Sequence, residues 1–179
     1  MENKIKLHDK TFRVLITAEE IDKAVTRVAE QLDERYKGRT PIFLGVLSGS
    51  FLFLADLVRK VNFDSQMAFV KISSYSGTES TGNVTQQFGV DFVIEGRDII
   101  IVEDIVETGH SMTYLLNYLK EKRPASITIC TLFFKPEKFL YEYKIDYTAL
   151  SIGNEFIVGY GLDYNQLGRN LKDIYVIDE

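Results

Sequence analysis

Short, almost wholly apolar runs alternate along this chain with segments whose apolar residues recur at helical spacing. The apolar runs predict strands at residues 41–47, 67–73, 99–102, 126–134 and 147–152. The other segments predict helices at residues 17–38, 51–61 and 111–122. A strand that is apolar on both faces is typical of a parallel sheet covered by helices, and its alternation with helices indicates an α/β domain. We therefore predict an α/β fold with a twisted, mostly parallel sheet flanked by helices.

The first helix has the clearest boundaries. Thr17 and Glu20 have the spacing of a capping box, in which each side chain satisfies a backbone N–H at the start of a helix. Gly38 supplies a left-handed stop at the other end. Both signals are local, so they predict this helix without reference to the rest of the chain.

Length and composition narrow the class of protein. A chain of 179 residues suits one domain, residues 1–179, and we expect residues 1–16 and 153–179 to pack together as a small lobe, the hood. The net charge of −5 argues against nucleic-acid binding, which needs a basic face. The single cysteine, Cys130, cannot form an internal disulfide and is expected in the core. No apolar run approaches the ~18 residues of a membrane span, and the first residues lack the apolar core of a signal peptide. We expect a soluble, cytoplasmic protein with no membrane partner.

The segment from Ile99 to Ser111 says most about function. It leaves a predicted strand, passes the acids Glu103, Asp104 and Glu107, and enters a helix. In open α/β sheets, ligands bind outside the carboxyl ends of the strands. Small or donor-bearing residues at the start of a helix offer N–H groups to an anion such as a phosphate monoester. Those residues here are Thr108, Gly109, His110 and Ser111.

The adjacent acids Glu103 and Asp104 do not suit a phosphate, because carboxylates repel it. Sugar hydroxyls donate to carboxylates, and Mg²⁺ binds one or two carboxylates together with phosphate oxygens. An anion-binding turn next to two acids therefore favours a phosphorylated ribose, bound together with Mg²⁺, as the ligand. The alternative is that the acids only stabilise the following helix through its dipole.

The run from Val102 to Gly109 resembles the phosphoribosyl-pyrophosphate signature of the type I phosphoribosyltransferases, in which apolar residues precede two acids and an acid-Thr-Gly turn. The resemblance covers most of the chain from about residue 40 onward. It implies the type I phosphoribosyltransferase fold, Mg²⁺ as cofactor, and Glu107 as the catalytic residue at purine N7. The residues that it implies at the ribose and its phosphate are Glu103, Asp104, Ile105, Val106, Thr108, Gly109, His110 and Ser111.

Further segments follow the order of the same family. Leu47, Ser48 and Gly49 resemble its pyrophosphate loop, which implies a cis peptide bond between Leu47 and Ser48. Arg169 matches an arginine that helps to bind pyrophosphate. Ser74 and Tyr75 open a segment, residues 74–91, that resembles the family's mobile lid.

The segment from Glu155 to Asn165 resembles the purine hood of the 6-oxopurine branch of this family. The residues implied at the purine are Lys135, Glu155, Phe156, Ile157 and Asp163. Asp163 is also implied near the metal, with Glu103 and Asp104. The Lys135 ammonium can donate to the O6 carbonyl of hypoxanthine or guanine, whereas adenine presents an amino donor there.

Three positions depart from the commonest family pattern. Glu107 stands where aspartate is usual, so its carboxylate reaches one methylene further or the loop retreats. Ser48 stands where many relatives carry a basic residue, and its role there is mainly that of backbone. His110 stands where lysine is frequent, and a histidine can still donate to phosphate.

The resemblance implies a purine salvage enzyme, a pentosyltransferase. It would transfer 5-phosphoribosyl from phosphoribosyl pyrophosphate to N9 of hypoxanthine or guanine and release IMP or GMP and pyrophosphate. Two alternatives stay open: an enzyme of the same family that prefers xanthine, and a phosphoribosyl-pyrophosphate sensor that regulates transcription by binding nucleic acid. The net charge of −5 and the presence of Lys135 argue against the sensor. The resemblance also implies a homodimer or homotetramer.

Overall fold

The computed structural model describes residues 4–73, 85–86 and 93–178. Their strands and helices follow one another as β1 (Lys4–Leu7), β2 (Lys10–Ile16), α1 (Ala18–Tyr36), β3 (Ile42–Leu47), α2 (Phe51–Val58), β4 (Gln66–Ser73), β5 (Thr85–Gln86), β6 (Asp98–Val106), α3 (His110–Glu121), β7 (Ser126–Phe134), β8 (Tyr147–Ser151), β9 (Ile157–Val158) and β10 (Ile174–Ile177). A short 3-10 helix, Pro136–Lys138, follows β7.

The larger sheet has the strand order β5-β4-β3-β6-β7-β8. From β4 to β8 every neighbouring pair is parallel, while β5 pairs antiparallel with β4 at the edge. Parallel neighbours require crossover connections, and α2 and α3 follow strands of this sheet in the chain. The prediction of an α/β fold with a mostly parallel sheet and flanking helices is confirmed.

Helices cover both faces of this sheet. Val25 of α1 packs in one core with Phe43 of the sheet, and Leu115 of α3 packs in the other with Ile101. Full burial of a side chain of this size stabilises the fold by about 1.5–3 kcal/mol. Cys130 is buried in the first core, as expected, and burial raises the pKa of its thiol. Packing on both faces holds the strand ends, where the site is built.

The boundaries of the first helices follow local signals to different degrees. α1 begins at the predicted capping box: the Thr17 N–H donates to the Glu20 carboxylate at 2.8 Å, and the Glu20 N–H donates to the Thr17 hydroxyl at 3.3 Å. Gly38 has a φ of 73°, the left-handed conformation expected of a helix stop. α2 ends at Val58, before the predicted end at residue 61.

β6 continues past its predicted end at Val102. β3 pairs with β6 only as far as Val102, but β7 pairs with β6 to its end at Val106, with Glu103 opposite Thr131. The predicted strand end at Val102 is therefore wrong, and β6 runs to Val106. Glu103 and Asp104 lie on a strand, and its hydrogen-bonded partner fixes their backbone.

A second, antiparallel sheet joins the two ends of the chain in the order β1-β2-β10-β9. It has a small core of its own around Phe12 and Tyr175. Residues that flank β9 and β10 form hydrogen bonds to the helices of the larger sheet. The Tyr160 hydroxyl donates to the Asp56 carboxylate at 2.6 Å, and the Ala18 N–H donates to the Asp173 side chain at 2.7 Å.

Two expectations concern the surface of the fold. Within residues 4–73, 85–86 and 93–178, no helix is both long and apolar enough to cross a membrane. Of the expected lid, residues 85–86 form β5, while Ser74 and Tyr75 lie outside the described residues.

Candidate active site

The carboxyl ends of three adjacent strands bring the predicted site residues to one edge of the larger sheet. β3 ends at Leu47 and leads into Ser48, β6 ends at Val106, and β7 ends directly before Lys135. The Lys135 N–H donates to the Val106 carbonyl at 3.0 Å, which holds the first residue after β7 against the end of β6. Residues that are far apart in sequence therefore meet at the edge where open α/β sheets bind ligands.

The turn after β3 lies directly against the acidic pair. The peptide bond between Leu47 and Ser48 is cis, as predicted. A Cβ atom added to Gly49 would lie 1.4 Å from Asp104 Oδ2 and 2.4 Å from its Cγ, so any larger residue would displace this carboxylate. The Ser50 hydroxyl donates to the Val46 carbonyl at 2.6 Å and closes the turn. The predicted pyrophosphate loop and the predicted ribose acids are therefore in contact.

Burial destabilises the ionised forms of Glu103 and Asp104. Burial raises the pKa of Glu103 well above the usual range, and the neighbouring Asp104 raises it further. Burial also raises the pKa of Asp104, although hydrogen bonds, including one from the Ile105 N–H at 2.8 Å, and the charge of Arg169 oppose this. Donor hydroxyls or a cation placed here would relieve this destabilisation.

The turn between β6 and α3 forms the wall of a small cavity. Gly109 has a φ of 88°, and a Cβ atom there would lie 2.6–2.9 Å from three aromatic side chains, so both the backbone and the space require glycine. The cavity has a volume of about 200 Å³ and is lined by Glu103, Ile105, Val106, Glu107, Thr108, Gly109, His110, Ser111 and Met112. A turn that opens onto a cavity at the start of a helix can bind an anion.

An aromatic segment, Phe139 to Tyr143, packs over this turn. The Tyr143 hydroxyl donates to the Gly109 carbonyl at 2.8 Å, and the Leu140 N–H donates to the Thr108 carbonyl at 3.2 Å. The Tyr141 hydroxyl lies 2.6 Å from His110 Nδ1. The sequence-based reasoning missed these contacts, and the only available signal was the density of aromatic residues just after a strand that ends at the site.

Lys135 forms a partly buried ion pair with Glu107. Lys135 Nζ donates to Glu107 Oε1 at 2.5 Å and to the Glu155 carbonyl at 2.8 Å. The Lys135 side chain is 3% exposed and that of Glu107 is 40% exposed. Lys138, which the sequence did not single out, lies 3.6 Å from the other carboxylate oxygen of Glu107. The lysine expected at the purine and the expected catalytic acid are thus joined by a direct hydrogen bond.

The pKa of Glu107 follows from these neighbours. Burial opposes its ionisation, but the hydrogen bond and charge of Lys135, together with Lys138, outweigh burial and lower the pKa. The carboxylate is therefore ionised at neutral pH and accepts hydrogen bonds, while its affinity for a proton is reduced. A group that draws the Lys135 ammonium away would raise this affinity.

The predicted hood residues have different surroundings. Arg169 donates to the Gly161 carbonyl at 2.6 Å and pairs with Asp163, also at 2.6 Å. The Phe156 ring is 46% exposed and meets the Tyr164 ring edge-on at 5.8 Å. Ile157 is buried in β9, opposite Val176. Phe156 thus offers an exposed ring, and Lys135 Nζ donates to the carbonyl of the residue before it, Glu155.

Metal binding can be judged from the donor set. Among the residues that the structure describes, no group of three or more His, Cys, Asp or Glu side chains could hold a metal ion. Asp163, which the sequence implied at the metal, is paired with Arg169. Glu103 and Asp104 fit a cation such as Mg²⁺, which binds proteins through one or two carboxylates and completes its shell with substrate oxygens and water.

Comparisons with known proteins identify the family. The model of the phosphoribosyl transferase domain family matches residues 16–165. A hypoxanthine-guanine phosphoribosyltransferase from Streptococcus pneumoniae strain R6 is 41% identical over 180 residues, which cover 100% of this chain and 97% of the relative. Another, from Lactococcus lactis, is 43% identical over 166 residues, covering 92% of this chain and 90% of the relative.

A solved structure gives the same result. The crystal structure of a hypoxanthine-guanine phosphoribosyltransferase from Bacillus anthracis superposes with a TM-score of 0.87 at 35% identity, over 92% of this chain and 98% of that chain. Sequence similarity and the three-dimensional fold therefore both extend over nearly the whole chain. The chain belongs to the phosphoribosyltransferase family, among the hypoxanthine-guanine phosphoribosyltransferases.

Proposed function

We propose that this protein transfers the 5-phosphoribosyl group of phosphoribosyl pyrophosphate to N9 of hypoxanthine or guanine, producing IMP or GMP and pyrophosphate. The relatives at 41–43% identity carry that activity in their names. Because these relatives are named as enzymes, the nucleic-acid-binding sensor is not favoured. Neither is a preference for xanthine.

The position of Lys135 carries this proposal. Its buried ammonium lies at the carboxyl edge of the sheet and donates to the carbonyl of Glu155, the residue before the exposed ring of Phe156. A 6-oxopurine supplies the O6 acceptor that Lys135 Nζ needs once it leaves Glu107, and the ring of Phe156 can stack on the purine face. The backbone of Glu155 and Ile157 would face the edge of the base. Adenine offers a second donor to Lys135 and is disfavoured.

Glu107 acts at the imidazole side of the purine. When Lys135 turns to O6, the Glu107 carboxylate loses its strongest hydrogen bond and its affinity for a proton rises. It can then accept the N7–H of the base, which makes N9 a better nucleophile toward the ribose. Lys135 and Glu107 therefore serve as a pair, released together when the base binds.

Glu103 and Asp104 hold the ribose. As pyrophosphate leaves, the sugar gains positive charge, as in glycosyl transfer generally. The two carboxylates accept hydrogen bonds from the ribose hydroxyls, and their charge stabilises the cationic sugar. They are also the residues that would hold Mg²⁺, which when bound neutralises charge on the departing pyrophosphate. A role for Asp163 in that shell stays a prediction.

Two anion sites orient the donor. The turn from Thr108 to Ser111 binds the 5-phosphate in the small cavity at the start of α3. The loop of Leu47, Ser48 and Gly49, with Arg169 beyond it, binds pyrophosphate through backbone N–H groups and a guanidinium. Fixing the donor at both ends places the reacting carbon near N9. We propose that the antiparallel sheet is the hood over this site. The lid expected at Ser74 and Tyr75 lies outside the described residues and stays a prediction.

A turnover assay with four bases tests the proposal. Purified protein with Mg²⁺ and phosphoribosyl pyrophosphate is given hypoxanthine, guanine, xanthine or adenine, and nucleotide formation is followed by absorbance. We expect turnover with hypoxanthine and guanine and little with adenine. Absence of turnover with every base would refute the proposal, and a clear excess with xanthine would correct its specificity. Sedimentation of the same sample tests the expected homodimer or homotetramer.

A further inference from the structure

We propose that Tyr141 is a positioning residue that selects the imidazole tautomer of His110, so that Nε2–H of His110 donates to the bound 5-phosphate. The inference rests on the proposed function, because it names a hydrogen-bond donor to the 5-phosphate that we place in the cavity at the start of α3. His110 lines that cavity, and its Nδ1 lies 2.6 Å from the Tyr141 hydroxyl.

The Tyr141 side chain is held by contacts that do not involve His110. Its ring stacks on that of Tyr143, with the centroids 5.6 Å apart and an angle of 28° between the planes. Phe139 meets it at 6.4 Å. The backbone of this segment is attached to the turn through the bond from the Leu140 N–H to the Thr108 carbonyl. The Tyr141 hydroxyl is therefore presented to the imidazole from a preformed surface.

The chemistry of a neutral imidazole explains why this matters. One ring nitrogen carries a proton and the other a lone pair, and the hydrogen bond at one nitrogen determines the state of the other. If Tyr141 donates to Nδ1, the proton resides on Nε2, which then donates to a phosphate oxygen. If Nδ1 carried the proton, the Nε2 lone pair would face an anion that offers only acceptors.

The pair also lies edge to face. The rings of His110 and Tyr141 are 5.5 Å apart with an angle of 87° between them. This contact restricts rotation of the imidazole, so Nε2 stays directed away from the tyrosine. His110 thereby supplies a fixed donor to the phosphate without requiring a positive charge.

A direct test observes the imidazole itself. The chain has two histidines, so the ¹⁵N spectrum of labelled protein is assigned with the variant His8→Asn. We expect neutral His110 in the Nε2–H form, both free and with ribose 5-phosphate bound, and a change at Nε2 on binding. A resonance showing the proton on Nδ1 in the bound protein would overturn the inference. This experiment needs no turnover, so it is independent of whether the proposed reaction occurs.

A kinetic cycle separates positioning from packing. Tyr141→Phe keeps the ring and removes the hydroxyl, and we expect KM for phosphoribosyl pyrophosphate to rise roughly two- to tenfold with kcat unchanged. In a His110→Gln background the same change should have no further effect. Tyr118→Phe, on the same helix as His110, is the matched control and should leave KM unchanged. An equal effect of Tyr141→Phe in both backgrounds would show a structural role only and refute the inference.

Discussion

Replacing Lys135 with methionine removes one charge from the site while keeping an unbranched side chain of similar length. Lys135 Nζ bonds to Glu107 and to the Glu155 carbonyl, and its side chain is 3% exposed. Removing one partner of a fully buried pair costs about 3–5 kcal/mol. Glu107 is 40% exposed and Lys138 remains 3.6 Å away, so water and a second cation compensate part of this. We expect the free energy of unfolding to fall by roughly 1–3 kcal/mol at neutral pH.

The pH dependence of this loss identifies its cause. The folded-state pKa of Glu107 is lowered, so the ion pair stabilises the protein above the unfolded-state pKa and this stability is lost as pH falls through the folded-state pKa. Lys135→Met should therefore destabilise most at neutral pH, and the difference from the wild type should shrink below about pH 4.5. Urea denaturation at several pH values measures this difference. A loss that is the same at every pH would assign Lys135 a packing role only.

The same variant tests substrate recognition. Loss of the donor to O6 should lower kcat/KM for hypoxanthine and guanine roughly 5- to 150-fold, with a smaller effect on any residual use of adenine. Lys138→Met is the matched control, because it also removes one positive charge from the neighbourhood of the Glu107 carboxylate. The Lys138 side chain is 38% exposed, so its loss should cost about 0–1 kcal/mol. Equal losses for all purines, or equal losses for the two variants, would refute the proposed contact between Lys135 and O6.

Three further substitutions test the remaining parts of the site. Glu107→Gln should lower kcat roughly 10²–10⁴-fold with little change in KM for the donor, whereas wild-type turnover would remove Glu107 from the mechanism. Gly49→Ala places a Cβ atom 1.4 Å from Asp104 Oδ2, so the acid must move. KM for phosphoribosyl pyrophosphate should rise roughly 5- to 150-fold, the effect of about 1–3 kcal/mol of overpacking, and unchanged donor kinetics would contradict this. Tyr160→Phe removes the bond from the segment after β9 to Asp56 of α2 and should lower the free energy of unfolding by about 1 kcal/mol; thermal denaturation measures it, and no change would show that the bond does not stabilise the docking of the smaller sheet.

Local signals determined much of this fold from the sequence alone. The capping box of Thr17 and Glu20 acts within one helical turn, so its hydrogen bonds could be predicted without knowing any other element. The apolar run of β7 likewise predicted both of its boundaries. The signature from Val102 to Gly109 identified the family because all its residues are contiguous.

Only the tertiary structure decided how distant residues meet. β6 extends past Glu103 to Val106 because β7 pairs with it, and no local sequence pattern marks the end of this strand. Lys135 and Glu107 are 28 positions apart, and His110 and Tyr141 are 31 apart. These hydrogen bonds form because parallel strands bring separate loops to the carboxyl edge of the larger sheet. Packing and burial there determine which donor reaches which acceptor. Residue types and local periodicity determine which groups are available, but the approach of their atoms depends on contacts distant in sequence.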